Sequence, residues 1–135
     1  VITVVTGPPC GGKTTYVREN ANSGDVVIDM DRLALALTTE DVEDYDYSDS
    51  VRSVAIAARK AAVKQAIIVG QGQRNGTWII HTDPNVDDRY AYRVAGAKFV
   101  ECSPGLQVCL ERAKHRPLKN QKKIDKGIRD YYAIR

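Results

Sequence analysis

Gly7-Pro8-Pro9-Cys10-Gly11-Gly12-Lys13-Thr14 follows directly on the apolar run Val1-Ile2-Thr3-Val4-Val5, and this junction decides the fold. The spacing G-x-x-x-x-G-K-T is that of a phosphate-binding loop, in which successive backbone N–H groups turn inward around an anion. Gly11 and Gly12 permit backbone conformations that a side chain blocks. Lys13 offers a point charge to terminal phosphates, and the Thr14 hydroxyl is a ligand for Mg2+. A helix opening near Lys13 aims its positive end at the same anion. A Gly-rich turn matching by accident is the alternative, but the strand pattern before the loop and the helix pattern after it favour nucleotide binding. The expected nucleotide contacts are Gly7, Pro8, Pro9, Cys10, Gly11, Gly12, Lys13, Thr14 and Thr15.

The chain of 135 residues suits a single domain, residues 1–135, and has no room for a second of ordinary size. Its net charge of +3 and 43% hydrophobic content suggest neither disorder nor a membrane class. No apolar run approaches the roughly 18 residues that span a bilayer, and the N-terminus carries no charged leader or cleavage site, so a cytoplasmic protein with no membrane partner is expected. Cys10, Cys102 and Cys109 are odd in number and match no zinc or redox spacing, which makes reduced thiols the default. A zinc site from Cys102, Cys109 and His115 is the weaker reading beside two small core residues and a surface imidazole.

Outward from the loop, Val1 to Thr6 reads as a buried central strand and Lys13 to about Ala21 as a helix stopped by Asn22-Ser23-Gly24. Asp25 to Asp29 is a second strand. Strand, loop, helix and strand form a right-handed unit of parallel strands, which brings Asp29 and Asp31 beside the nucleotide. Asp31 also caps a helix from Arg32 to Leu37, a role compatible with accepting a proton from a hydroxyl or ordering Mg2+. Thr38 to Ser50 is acidic and reads as a surface loop. Val51 to Val69 carries apolar residues at spacings of three and four and is an amphipathic helix covering the sheet; a polar turn follows.

Thr77 to His81 is the third strand. His81 occupies the strand-end place where an acid often reaches Mg2+ through water, and Asp83 comes two residues later, either as a functional carboxylate or as a turn residue. A helix from Val86 to about Ala95, a fourth strand from Ala97 to Glu101, and a helix from Pro104 to the neighbourhood of His115 complete a small sandwich. Between Arg112 and Arg129 eight basic residues are opposed by Asp125 alone. Such a run is either a solvated helix face or a lid. As i, i+4 neighbours on one helix, Arg112 and Arg116 could clamp phosphate oxygens. A short last helix spans Ile124 to Ile134.

The combination of Gly7 to Thr14, Asp29-Met30-Asp31 and Arg112-x-x-x-Arg116 resembles the polynucleotide 5′-hydroxyl kinase family of phage-type P-loop kinases, and more loosely zeta-toxin-type kinases. The resemblance spans nearly the whole chain. It implies a small P-loop kinase-like three-layer α/β/α sandwich with a mainly parallel four-stranded sheet and a C-terminal basic lid. It further implies ATP and Mg2+ as cofactors, Lys13 and Thr14 on phosphates and metal, Asp31 as general base, Arg116 as the catalytic lid arginine and Arg112 near the nucleotide. The chain would act in the host cytoplasm if phage-encoded. Two departures stand out: Cys10 replaces a usual glycine, and no arginine follows Asp31 by three residues to grip the acceptor, so that either Arg32 substitutes or the acceptor differs.

The expected activity is transfer of the γ-phosphate of ATP to a hydroxyl, foremost the 5′-hydroxyl of a DNA or RNA end, with Asp29, Arg32 and Asp83 on the substrate side. A kinase of nucleosides, nucleotides or other small metabolites shares every catalytic residue. A nucleotide-binding module or weak ATPase needs neither Asp31 nor the arginine pair.

Overall fold

The computed structural model describes residues 1–39, 47–70 and 74–135. Along the chain run β1 (Ile2–Thr6), α1 (Lys13–Asn20), β2 (Val26–Ile28), α2 (Met30–Ala36), α3 (Asp49–Gly70), β3 (Thr77–Ile80), α4 (Val86–Val94), β4 (Lys98–Glu101), α5 (Leu106–Ala113) and α6 (Leu118–Ala133). The four strands form one all-parallel sheet in the order β2-β3-β1-β4.

The hydrophobicity of β1 follows from its place. It pairs with β3 on one side, Val4 opposite Ile79, and with β4 on the other, Val5 opposite Val100. Helices on both faces leave none of its five residues in water. Alternate side chains serve different cores, as the period of two requires. Ile2 and Val4 join Ile28, Ile79, Ala66 of α3 and Tyr92 of α4, whereas Val5 joins Ile80 and Val17 of α1. Fully burying side chains such as Val4, Val5 and Ile79 stabilises the fold by roughly 1.5–3 kcal/mol each. This two-sided packing is that of an α/β/α sandwich. A third cluster, Cys109, Ala113, Ile124 and Ile128, joins α5 to α6.

Three boundaries differ from the sequence expectation. Asp29, not Asp31, caps α2: its carboxylate accepts the Asp31 N–H at 3.2 Å, which puts Asp31 inside the first turn. Helix α3 begins at Asp49 because Ser48 supplies both its Oγ to Val51 N, at 3.2 Å, and its carbonyl to Arg52 N. The acidic loop is therefore shorter than Thr38 to Ser50, and its stretch 40–46 lies outside the described residues, as does 71–73 of the following turn. Helix α5 ends near His115 as expected, at Ala113, and the Gln121 amide satisfies the carbonyls of Lys114 and Arg116 at 3.0 and 2.8 Å. Helix α6 begins at once after Pro117, six residues before Ile124, and runs 16 residues. No helix among the described residues is long and apolar enough to cross a membrane.

The sheet positions the loop after β1 through backbone contacts. Cys102 N donates to Thr6 O at 2.8 Å and Gly7 N to Thr82 O at 3.1 Å, so the loop is tied to the chain leaving both neighbouring strands. Gly7 has φ 146°, and a Cβ there would lie 2.2 Å from the Cys102 carbonyl oxygen. Gly7→Ala is therefore expected to lower unfolding free energy by about 3 kcal/mol, read from urea denaturation, since strain and overpacking add.

Candidate functional site

The loop after β1 closes on itself. Gly11 N donates to Pro8 O at 3.0 Å, and a Cβ on Gly11 would meet that oxygen at 2.8 Å and Cys102 O at 2.6 Å. Gly12, at φ 94°, opens α1 with no side-chain cap. The N–H groups of the first turn thus have no side-chain cap, an arrangement suited to an anion. The Lys13 ammonium folds back over the loop and donates to Gly7 O at 2.8 Å and Pro8 O at 2.7 Å. Burial lowers its pKa, an effect opposed by the nearby Cys102, Asp29, Cys10 and Asp31 side chains. Thr14 and Thr15 are exposed in the first turn of α1.

Cys10 takes the left-handed conformation, φ 61°, which costs a residue with a Cβ roughly 1–2 kcal/mol. What holds it there is the α5–α6 pair: the Cys10 side chain packs on the Cys109, Ala113, Ile124 and Ile128 cluster. Its carbonyl accepts from Arg112 Nη1 at 3.0 Å. Neighbouring Pro9 lies so near α6 that a Cβ on Gly127 would be 3.1 Å from Pro9 Cγ. The loop is therefore the platform on which α5 and α6 rest.

An open cleft of about 570 Å³ runs between α1 and α5. Gly11, Gly12, Thr15, Tyr16 and Glu19 form one wall, and Arg112, His115 and Arg116 the other. The two arginines do not share a helix face as expected, because Arg116 lies beyond the end of α5; they nevertheless reach the same cleft.

On the β2 side, Asp29 is buried at 8% exposure and committed to its capping bond. Asp31 Oδ1 accepts the Tyr47 hydroxyl at 2.8 Å. Arg32 is exposed beside it. Asp83 is drawn away from both groups: its Oδ1 binds Arg135 at 3.0 Å and Arg89 at 3.3 Å, and it does not line the cleft. Burial works to raise the Asp83 pKa, but Arg135 and Arg89 outweigh it and hold the carboxyl below its ordinary value. Among the described residues no three His, Cys, Asp or Glu side chains converge as a metal site, and Cys109 is a core residue of the α5–α6 cluster.

Tyr47, Tyr16, Glu19 and His115 belong to these surroundings without having been expected there. Tyr16 and Glu19 were legible in principle, since they recur with Gly12 and Thr15 on one face of α1. Tyr47 was not, because its contact spans 16 residues.

At the end of β3, His81 Nδ1 meets the Tyr92 hydroxyl at 2.9 Å, and Nε2 lies 3.9 Å from Asp88. Burial, with Arg59 and Arg89 nearby, pushes its pKa down to about 4. The position thus holds a neutral imidazole where a carboxylate was the common alternative.

No protein-family model matches the chain, and no curated protein is significantly similar to it.

The depressed His81 pKa fixes a pH dependence. Unfolded His81 binds a proton below about 6.5 and folded His81 only below about 4, so stability is full above the first value and falls as pH drops toward the second. The loss expected across this window is up to about 3 kcal/mol. Asp25 and Asp83 titrate below 3.8 and add their losses only there. Urea denaturation between pH 7 and 4.5 should show this slope, and His81→Asn should flatten it.

Proposed function

We propose that the chain is a Mg2+-dependent P-loop phosphotransferase that moves the γ-phosphoryl group of ATP to a hydroxyl, with the 5′-hydroxyl of a DNA or RNA end as acceptor. The observation that carries this reading is the position of the phosphate-type loop between a held carboxylate, Asp31, and a cleft bearing Arg112 and Arg116.

The strand order supplies the spacing. The loop leaves β1 and Asp29 leaves β2, with β3 between them. Two strand spacings make about 10 Å, room for a terminal phosphate and an acceptor hydroxyl in line. In this reading the donor's nucleoside lies in the cleft between α1 and α5, and the acceptor enters from the β2 side.

Lys13 and the N–H groups at the start of α1 hold the phosphates of the donor. The Thr14 hydroxyl would hold Mg2+, which when bound would supply positive charge against the phosphates. Asp31, oriented by the Tyr47 hydroxyl and by its place in the first turn of α2, accepts the proton of the acceptor hydroxyl. The acceptor oxygen bonds to the γ-phosphorus while the bond from that phosphorus to the β,γ-bridging oxygen breaks, leaving ADP. Arg116, from the turn after α5, offsets charge on the equatorial oxygens, and the α5–α6 pair serves as the lid.

A small-metabolite acceptor, such as a nucleoside or nucleotide, is the second reading, and two observations favour it. The residue three after Asp31 is Ala34, fully buried at 0% exposure and unable to grip an acceptor. Three cations of the basic run are also paired with neighbouring acids, Lys114 with Glu111, Lys126 with Asp130 and Arg129 with Asp125. That leaves fewer cations for a polyanion.

The test is transfer of labelled γ-phosphate with Mg2+ to 5′-hydroxyl oligonucleotides and, in parallel, to nucleosides. Label on the oligonucleotide supports the first acceptor, label only on nucleosides supports the second, and free phosphate alone contradicts both. Asp31→Asn should lower transfer by roughly 10²- to 10⁴-fold. Arg116→Ala should lower kcat by roughly 10³- to 10⁵-fold while changing ATP affinity far less.

A further inference from the structure

We infer that Glu19 selects the base of the phosphoryl donor and favours guanine over adenine, an inference that rests on the nucleotide reading of the loop. Gly12, Thr15, Tyr16 and Glu19 recur at i, i+3, i+4 and i+7, so they make one continuous stripe along the cleft wall of α1. The rise of a helix puts Glu19 about 10 Å beyond Gly12 along that stripe. A nucleotide whose phosphates sit at Gly12 and Lys13 reaches about that far with the outer edge of its base.

Tyr16 offers an aromatic ring beside this path, itself braced edge-on by Trp78 with ring centres 6.3 Å apart. At the far end the group available is the Glu19 carboxylate. It is exposed to the cleft, and among the described residues no hydrogen bond or ion pair engages it.

The chemistry of a carboxylate then decides the base. An ionised carboxylate only accepts hydrogen bonds, at two oxygens. Guanine presents two adjacent donors on its outer edge, the ring N1–H and the exocyclic amino group, and can pair with both oxygens at once. Adenine presents one amino donor beside an unprotonated ring nitrogen, whose lone pair faces the second oxygen and is repelled. Arg112, His115 and Arg116 on the opposite wall can donate but cannot supply this paired acceptor. The proposed transfer takes ATP as donor; within that reading the cleft chemistry makes GTP the tighter-binding donor.

The experiment is calorimetric titration of the full chain with Mg2+ and GDP, ADP, IDP or inorganic tripolyphosphate, repeated on Glu19→Gln. The inference predicts GDP binding roughly 10- to 100-fold tighter than ADP, the range of one good bidentate pair. IDP, which lacks the amino group, should fall between them. In Glu19→Gln the GDP advantage should vanish, because an amide offers one acceptor and one donor, a pattern that matches adenine. Tripolyphosphate carries no base and reports on the loop alone. Equal affinity for GDP and ADP, or a GDP preference that survives in Glu19→Gln, overturns the assignment of Glu19 and leaves the phosphate loop standing if tripolyphosphate binds. Failure of all four ligands to bind overturns the nucleotide reading itself and this inference with it.

Discussion

The structure depends on how closely the backbone after β1 approaches the backbone leaving β4. The Cys102 carbonyl occupies the space where side chains on Gly7 and Gly11 would begin, and Cys102 N and Thr82 O hold the loop from the two sides. This contact fixes the loop from which α1 starts. It also sets the height of Pro9 and Cys10, on which α6 and the α5–α6 cluster rest. Strain at Cys10 is tolerated because its side chain is gripped by that cluster, so the loop and the C-terminal helices stabilise each other.

The same constraint divides the surroundings of the loop into two sides. Toward β2 stand carboxylates: buried Asp29, and Asp31 oriented by Tyr47. Toward β4 and α5 stand guanidinium groups, with Arg112 already on the loop carbonyl of Cys10. Lys13 lies between, its charge disfavoured by burial and supported by Asp29 and Asp31. A separation of carboxylates from guanidinium groups across the loop suits the proposed in-line transfer between a donor on one side and a hydroxyl on the other. At the end of β3 stands a neutral imidazole, His81, held by the Tyr92 hydroxyl.

Much of this was legible in the sequence, for physical reasons that can be named. β1 and its loop were clear because β-branched residues end at a Gly-Pro break, and Val26–Ile28 and Thr77–Ile80 were clear for their apolar runs. The cap of α2 was misassigned because Asp29 and Asp31 are chemically equivalent in sequence, and only the extended backbone at Asp29 decides between them. The start of α6 was hidden because its first turns carry no apolar stripe; Leu118 is 84% exposed, and the buried positions begin at Ile124. The turn after α5 is held by Gln121 from the next helix, a contact no local pattern encodes. Asp83 resembled a site carboxylate until Arg135 and Arg89 accounted for it.

The central claim is that the loop and Asp31 act on one phosphoryl group. Phosphorus NMR of Mg2+ and ATP incubated with the protein and a 5′-hydroxyl oligonucleotide or nucleoside tests it most directly. The account predicts a phosphomonoester resonance that grows as ATP is consumed, at a rate set by acceptor concentration. Inorganic phosphate released at one rate with or without any acceptor would contradict it.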